Sequence, residues 1–484
     1  MAQNVTVQGA SYTDVPAVQL PKTGGGTATF TDTSDADATA ENILKGKTAY
    51  VNGEKIVGTS EGGGGGTDPT RWQRPTDWPS LDSIDLSGQN VVYITYKANE
   101  ENSYVVMRTD VSGTVTYDIG TVSNGVFTAL ETETLTGTQT YTKALTGYNK
   151  DYVVLRISGN FTRLQTNFTQ TEYTDDTHVG PGQQMLEVYG SIPKVTSLDG
   201  FLRNQRFVES VTLTNCTALA SMIRVAGDAY SLKNFCIAGT TKTMSAYSAF
   251  AQCRNLTYLY LNGISLNNVQ AIMQATWVEY TDIDTWTVSM TGNIGDTFNT
   301  TRLKELDLSS WNVTATNAAG CFLDSSGLAK LDISTWKISG SAESLFQDTG
   351  LETIPEADYS GVTNTQNMFF RSQLKGSVTM PVTADTRFRT AFQYCGAVRS
   401  ITIPASYTGQ IAATAFGNTA CLEEIHFLAT TPPPLANKSA FKYGDTNAKR
   451  KIYVPYSEDH SVLEAYQTAA VWSTIAYPIV EEPQ

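Results

Sequence analysis

The chain runs to 484 residues with a formal net charge of −14 and 17% charged residues. That length exceeds one ordinary core, so roughly two to four domains are expected. The acidic balance disfavours nucleic acid as a partner, because phosphate binding needs a basic face. No run approaches the roughly 18 apolar residues of a membrane span, so no membrane insertion is expected. Met1 to Leu20 hold no Lys or Arg and only scattered apolar side chains, so no secretory leader is read there. The cysteines, Cys216, Cys236, Cys253, Cys321, Cys395 and Cys421, show no C-x-x-C spacing and read as small buried thiols rather than a zinc site.

Residues 1–60 read as a small separate module. Residues 39–46 predict one or two helical turns stopped by Gly46. Two short strands at 48–51 and 54–57 flank Asn52 and Gly53, a pair that tolerates positive φ and signals a hairpin. The phrase from Ile43 to Thr59, with the segments 4–10 and 15–21, resembles a stretch found in structural proteins of tailed phages of Gram-positive hosts. The resemblance implies attachment to a virion, with phage capsid or tail proteins as partners of residues 1–60 and Val5, Val7, Val15, Val18 and Leu20 as anchoring residues. Five consecutive glycines at 62–66 then predict a flexible linker over 61–70. No Lys-Ser/Thr pair follows them, so they are not a phosphate loop.

Residues 71–180 contain β-branched and aromatic runs at 91–96, 104–107, 114–117, 126–130, 140–142 and 152–157. Turn signals such as Gly113 and Asn124 with Gly125 separate them. The pattern predicts an antiparallel β-sandwich of jelly-roll type. Trp72 and Trp78, with Pro75 and Pro79, are expected to lock its start.

From 181 to 450 the chain repeats. An apolar strand anchor recurs at Leu186, Val211, Phe235, Leu259, Ile283, Leu306, Leu331, Ile354, Val378, Ile401 and Ile425, in steps of 23 to 25 residues. A second series, Phe298, Phe322, Phe346, Phe369, Phe392, Phe416 and Phe441, runs between the anchors at the same period. So regular a period predicts a solenoid in which each repeat gives one short strand and one Phe-bearing turn of helix or irregular backbone. The run Ala391, Phe392, Gln393, Tyr394, Cys395 followed by Ile401, Thr402, Ile403, Pro404 resembles the BspA-type leucine-rich repeat. The runs ending in Trp311 and Trp336 are similar to its Trp-containing variant. Trp311, Trp336 and Tyr359 recur five residues after an anchor, either as an aromatic stack continuing the exposed face or, as the resemblance implies, filling a corner of the coil. The repeats near Ile283 and Ile354 fit poorly, since Thr285 and Glu356 stand where apolar residues belong. Residues 451–484 resemble the strand-plus-helix that closes such proteins, with Val462, Ala465, Tyr466 and Ala469 on one helical face.

The fold expected is therefore mainly β and multidomain: a small N-terminal anchor module, an antiparallel jelly-roll-like β-sandwich, then a BspA-type leucine-rich-repeat solenoid with a C-terminal cap. Residues between the two inward positions of each strand should form an exposed strip, giving Tyr260, Asp284, Asp307, Asp332, Thr379, Thr402 and His426 as candidate ligand-binding residues. No catalytic residues, cofactor or metal ligands are indicated. The three histidines, His178, His426 and His460, have no ligand spacing. Asp307 and Asp332 would lie about 5 Å apart by strand spacing, and the plainer reading is a solvated ladder. The two resemblances together imply a non-enzymatic virion appendage, a head fibre, head decoration or tail fibre made in the host cytoplasm. By analogy with such fibres it is a homotrimer, and its solenoid engages a host-surface or mucosal glycan or protein. A bacterial cell-surface adhesin and a two-carboxylate polysaccharide depolymerase are the alternatives.

Overall fold

The structure, a computed structural model, describes residues 3–7, 10–15, 17–21, 27–31, 39, 48–51, 54–57, 72–86, 89–99, 103–166, 184–382, 388–441 and 449–484. The chain is mainly β, with 39% strand and 4% helix. It divides into two compact units, Met1–Arg71 and Trp72–Gln484.

Among its described residues the smaller unit holds antiparallel hairpins: β1 (Gln3–Val7) with β2 (Ala10–Val15), β3 (Ala17–Pro21) with β4 (Thr27–Thr31), and β5 (Thr48–Val51) with β6 (Glu54–Val57). Val51 pairs with Glu54, the register that a two-residue turn imposes. Asn52, Gly53, the helical turns expected within 39–46 (Thr39 apart) and the glycine run 62–66 lie outside the described residues.

The larger unit opens with antiparallel strands β7 (Val91–Lys97), β8 (Tyr104–Ser123), β9 (Val126–Thr136), β10 (Gln139–Ala144) and β11 (Tyr152–Gln165). β8 and β11 are too long for one layer. They bend together near Gly113 (φ 139°) and Gly159 (φ 128°), and their register slips on either side of Phe161. A Cβ at Gly159 would stand 2.7 Å from the Thr114 carbonyl oxygen, so this close crossing needs glycine. One half of β8 pairs with β10 and the other with β9, while β11 follows both. The result is two layers around a core that includes Phe161 and the stacked rings of Tyr117 and Tyr141, whose centroids are 4.4 Å apart.

Neither layer stops there. β7 pairs antiparallel with β12 (Met185–Ser191), which pairs in parallel with Ser210–Thr214, then Asn234–Ile237, then Tyr258–Tyr260. In the other layer Arg163 of β11 bridges Ser197, followed by Ser221 and Ser245. Both layers thus run on as two walls of a parallel β-solenoid of about 12 turns. The second wall is a six-stranded sheet from Thr243–Ser245 to Asp358–Asn364, which the sequence reading did not anticipate. Its strands are polar: Asn312–Asn317 reads Asn-Val-Thr-Ala-Thr-Asn, with Val313 and Ala315 turned inward.

On the first wall Val211, Phe235 and Leu259 share one register, and Val378, Ile401 and Ile425 another, which continues to Ile452 and Ile479. Two anchors are corrected by two residues. Val188, not Leu186, pairs with Val211, and Thr281, not Ile283, pairs with Leu259. In both places the periodicity had settled on a neighbouring apolar side chain. The wall is interrupted at the two repeats whose sequences fit worst. Ile283–Thr285 is a 3-10 turn, and residues 351–357 form no strand.

The third side of the later coils carries the Phe series, and it is irregular up to Phe416, while Phe441 follows a 3-10 turn, Lys438–Ala440. From Phe298 to Phe416 each ring sits between two residues of positive φ, as Phe346 sits between Ser344 (55°) and Asp348 (54°). Alternate N–H groups bond within the turn and to the next coil: Gln347 N donates to Ser344 O, and Phe346 N donates to Met368 O. Two left-handed residues per repeat close the turn too tightly for a helix. The seven phenylalanines from Phe298 to Phe441 stack in one buried column with centroids 5.1–6.4 Å apart. Burying each ring contributes roughly 1.5–3 kcal/mol, and offset stacking adds about 0.5–1.5 kcal/mol per pair. Trp311 and Trp336 stack beside this column with centroids 6.2 Å apart and are buried in the corner. Trp286 begins that stack; it lies five residues after Thr281, as Trp311 does after Leu306.

The last coil is closed by helix α1 (Ser461–Thr468) and a 3-10 turn, Trp472–Thr474. Trp472 packs edge-on against Phe427 at 5.0 Å, and its Nε1 donates to the Pro433 carbonyl at 2.9 Å. Arg450 is fully buried below it. It donates to the carbonyls of Leu422, Thr419 and Phe441, acceptors that a further coil would otherwise engage.

Candidate functional site

The outer strip of the first wall exists in three stretches, one for each uninterrupted piece of sheet. Tyr260 is half-buried and pairs with Cys236. Asp307 and Asp332 are exposed and pair with each other. Thr379, Thr402 and His426 pair in succession and continue to Tyr453 and Val480. Asp284 is exposed but falls in the 3-10 turn and so lies off the ladder. The strip therefore does not gather its residues into one constellation.

Three of these positions have a structural account. Asp307 Oδ1 accepts from Ser309 N (3.1 Å) and Ser309 Oγ (2.6 Å), and Asp332 Oδ1 accepts likewise from Ser334 at 3.0 and 2.7 Å. These are Asx turns that end each strand. The Ser309 bonds hold the Asp307 carboxyl below the usual carboxylate range, the opposite of what a proton-donating acid needs. His426 is half-buried, stacked on Tyr453 with centroids 4.7 Å apart, and its Nδ1 lies 2.5 Å from Glu482 Oε1.

The sequence reading missed the stacked pair Tyr258 and Tyr280, half-buried on this face with centroids 5.1 Å apart. With Tyr260 they make an aromatic platform. Its only signal was the alternation Tyr-Leu-Tyr at 258–260.

The second interruption opens a recess of about 680 Å³, within the usual size of small-ligand sites. Thr353, Pro355 and Glu356 line it from the strandless segment, and Lys375, Ser377 and Thr379 from the next coil. Tyr359, buried beneath, donates from its hydroxyl to the Pro355 carbonyl at 2.9 Å and fixes the floor. Thr379 is the strip residue that this recess incorporates. Its rim is polar, and Ile354 and Val378 make its floor apolar.

Among the described residues no group of three or more His, Cys, Asp or Glu side chains could hold a metal ion, and no helix is long and apolar enough to cross a membrane. The cysteines are free. Burial pushes the thiols of Cys216 and Cys395 up to about 12 and raises those of Cys253 and Cys321, so these four are unreactive packing residues. Cys236 is half-buried and Cys421 exposed.

The fold defines a repeat protein, a parallel β-solenoid whose coils have the character of BspA-like leucine-rich repeats. Residues 265–380 match the family model DUF285, described as a Mycoplasma protein of unknown function. That stretch contains the Trp stack, the Phe column from Phe298 to Phe369, and most of the recess. No curated protein matches the chain.

Proposed function

We propose that the chain is a structural appendage of a tailed-phage particle, assembled as a homotrimer, with residues 1–60 as its anchor and the solenoid as its ligand-reading part. The observation that carries this reading is the division of the chain at Arg71, between the segment that resembles phage structural proteins and a single long repeat unit. Val5 and Val7 lie on β1, Val15 on β2, and Val18 and Leu20 on β3, which makes these hairpins the contact with capsid or tail. The tyrosine platform and the recess supply a surface for a host glycan or protein without any bond being broken. Cryo-electron microscopy of intact virions tests this. Residues 1–60 seated on capsid or tail with the solenoid projecting supports it, and particles lacking the chain remove it.

The family match supports a second reading, a bacterial surface protein of repeat type, because the matched family is described from Mycoplasma. Export of the chain from cells that carry no prophage would favour that reading.

A further inference from the structure

The turn side of the solenoid carries a feature that neither the strip nor the recess uses. In the first coils the positive-φ residues Asn204, Asp228, Gln252, Ala275 and Thr300 are stacked in register, each N–H bonding to the next coil: Asn204 N to Gly227 O, Asp228 N to Ala251 O, Gln252 N to Gln274 O, Ala275 N to Asn299 O. Two residues beyond each of them stands an exposed side chain, and in coil order these are Arg206, Tyr230, Arg254, Trp277 and Arg302. Cation and aromatic alternate along one edge. The same position in the following coils holds Ser326, Gly350, Gln373, Gly396 and Ala420, so the fold does not require large residues there.

One pair orders itself, and neighbours in the same turn hold others, the Tyr230 hydroxyl donating to Asp228 Oδ1 at 3.4 Å. The Arg302 guanidinium lies 3.9 Å from the centre of the Trp277 ring, and Arg254 donates to the side-chain oxygen of Gln252 at 3.0 Å. Tyr230 and Trp277 remain 40% and 38% exposed. Among the described residues Arg206, Arg254 and Arg302 have no carboxylate partner, whereas Arg74, Arg156 and Arg163 do. Three guanidinium groups left for an outside anion, in a chain of net charge −14, mark this edge as the place where an acidic partner is tolerated.

We infer that this edge binds an acidic polysaccharide with a carboxylate on every second sugar. Coils are about 4.8 Å apart, so successive arginines are about 10 Å apart. A pyranose along an extended glycan is about as long as one coil step, which puts a sugar over each coil and a carboxylate at each arginine. The guanidinium fork accepts a carboxylate bidentately, and the intervening rings present faces to the C–H side of the uncharged sugars. A single-stranded nucleic acid fits less well: every nucleotide is charged and longer than one coil step, so half of its phosphates would meet an aromatic ring. The inference deepens the adhesive part of the proposed function and rests on it. It does not depend on attachment to a virion.

The test is titration calorimetry of the full purified chain with hyaluronan oligosaccharides, which alternate charged and neutral sugars, beside carboxyl-reduced hyaluronan and single-stranded DNA. Salt-sensitive binding of hyaluronan alone is expected, weakened about tenfold by Trp277→Ala and abolished by combined Arg206→Ala, Arg254→Ala and Arg302→Ala. Gln373→Ala, at the same position in a later coil, should leave it unchanged. All these side chains are exposed, so unchanged thermal melting should confirm that the variants fold. Equal binding of the reduced polymer, tighter binding of DNA, or binding indifferent to the arginine changes overturns the inference. Adherence of the full chain to host cells is scored in parallel. If it survives the triple change, the edge is not the adhesive surface though the adhesive reading stands; if the unaltered chain adheres to nothing, both fall.

Discussion

The two interruptions of the first wall are resolved in opposite ways. At the first, the strand stops after Thr281 and runs into the 3-10 turn Ile283–Thr285, and one side chain stands in for its continuation. Asp282 accepts from Leu261 N at 3.0 Å, from Asn262 N at 2.6 Å and from Trp286 Nε1 at 2.8 Å. The carboxylate does the work of a strand edge, and the wall is sealed. Across residues 351–357 no carboxylate substitutes; Pro355 is tied to Tyr359 from below and the surface opens into the recess. Beneath the first, the Trp and Phe columns begin and run on into the next coil, and beneath the second the Phe column passes unbroken from Phe346 to Phe369. A solenoid can give up pairing along one wall when its column is intact, and what fills the gap decides whether the outcome is a sealed wall or an open recess.

The largest way to break this comparison is to cut the column. Phe346→Ala, in the coil that runs into the open interruption, should cost about 4 kcal/mol, read as a lowered urea midpoint with the recess lost. Next is the seal. Asp282→Ala leaves two backbone donors and the Trp286 indole unpartnered and should cost about 3 kcal/mol, with faster amide exchange at Leu261 and Asn262 but not around Pro355. Tyr359→Phe removes one bond to the recess floor and should cost about 1 kcal/mol. Thermal melting would register it, and deuterium uptake should rise locally in residues 353–357.

The smallest expected effect lies between the two interruptions. Burial, and then the like charge of Asp348 one coil on, raises the Asp324 carboxyl above its ordinary value. A carboxyl raised in the folded state is destabilising where it is ionised, so Asp324→Asn should stabilise at neutral pH. The gain should vanish as pH falls through the folded value, where Asp324 is protonated anyway. Asn is also tolerant of the positive φ of 56° at this position. Tm compared at neutral and acid pH checks the sign; a gain that grows on acidification would refute it.

Much of this was legible because repeats print their register in apolar residues. The Phe column was read directly, and the two poor repeats marked the two interruptions. The second wall was not legible, since strands such as Lys337–Ser341 take their place from stacking on neighbours rather than from an alternating pattern of their own. Trp286 was hidden because Ile283 attracted the anchor from the paired residue Thr281. Whether the turns were helical or irregular stayed open because a ring every 24 residues or so says nothing of φ, and residues such as Asp348 and Asp324 give only a weak signal of the left-handed region. The recess depended on a strand failing to form; Glu356 hinted at the failure but not at the room it leaves.

The walls have one more consequence, a mechanical one. In both, the hydrogen bonds from coil to coil run along the solenoid axis. Tension applied along that axis therefore peels the coils one at a time instead of shearing a whole sheet. Each coil released would lengthen the chain by roughly 80 Å, so a pull should be met by a series of small, evenly spaced yields. The sealed end, where Arg450 and Trp472 are buried, should resist longer than the middle. A molecule built this way absorbs a tug by paying out chain.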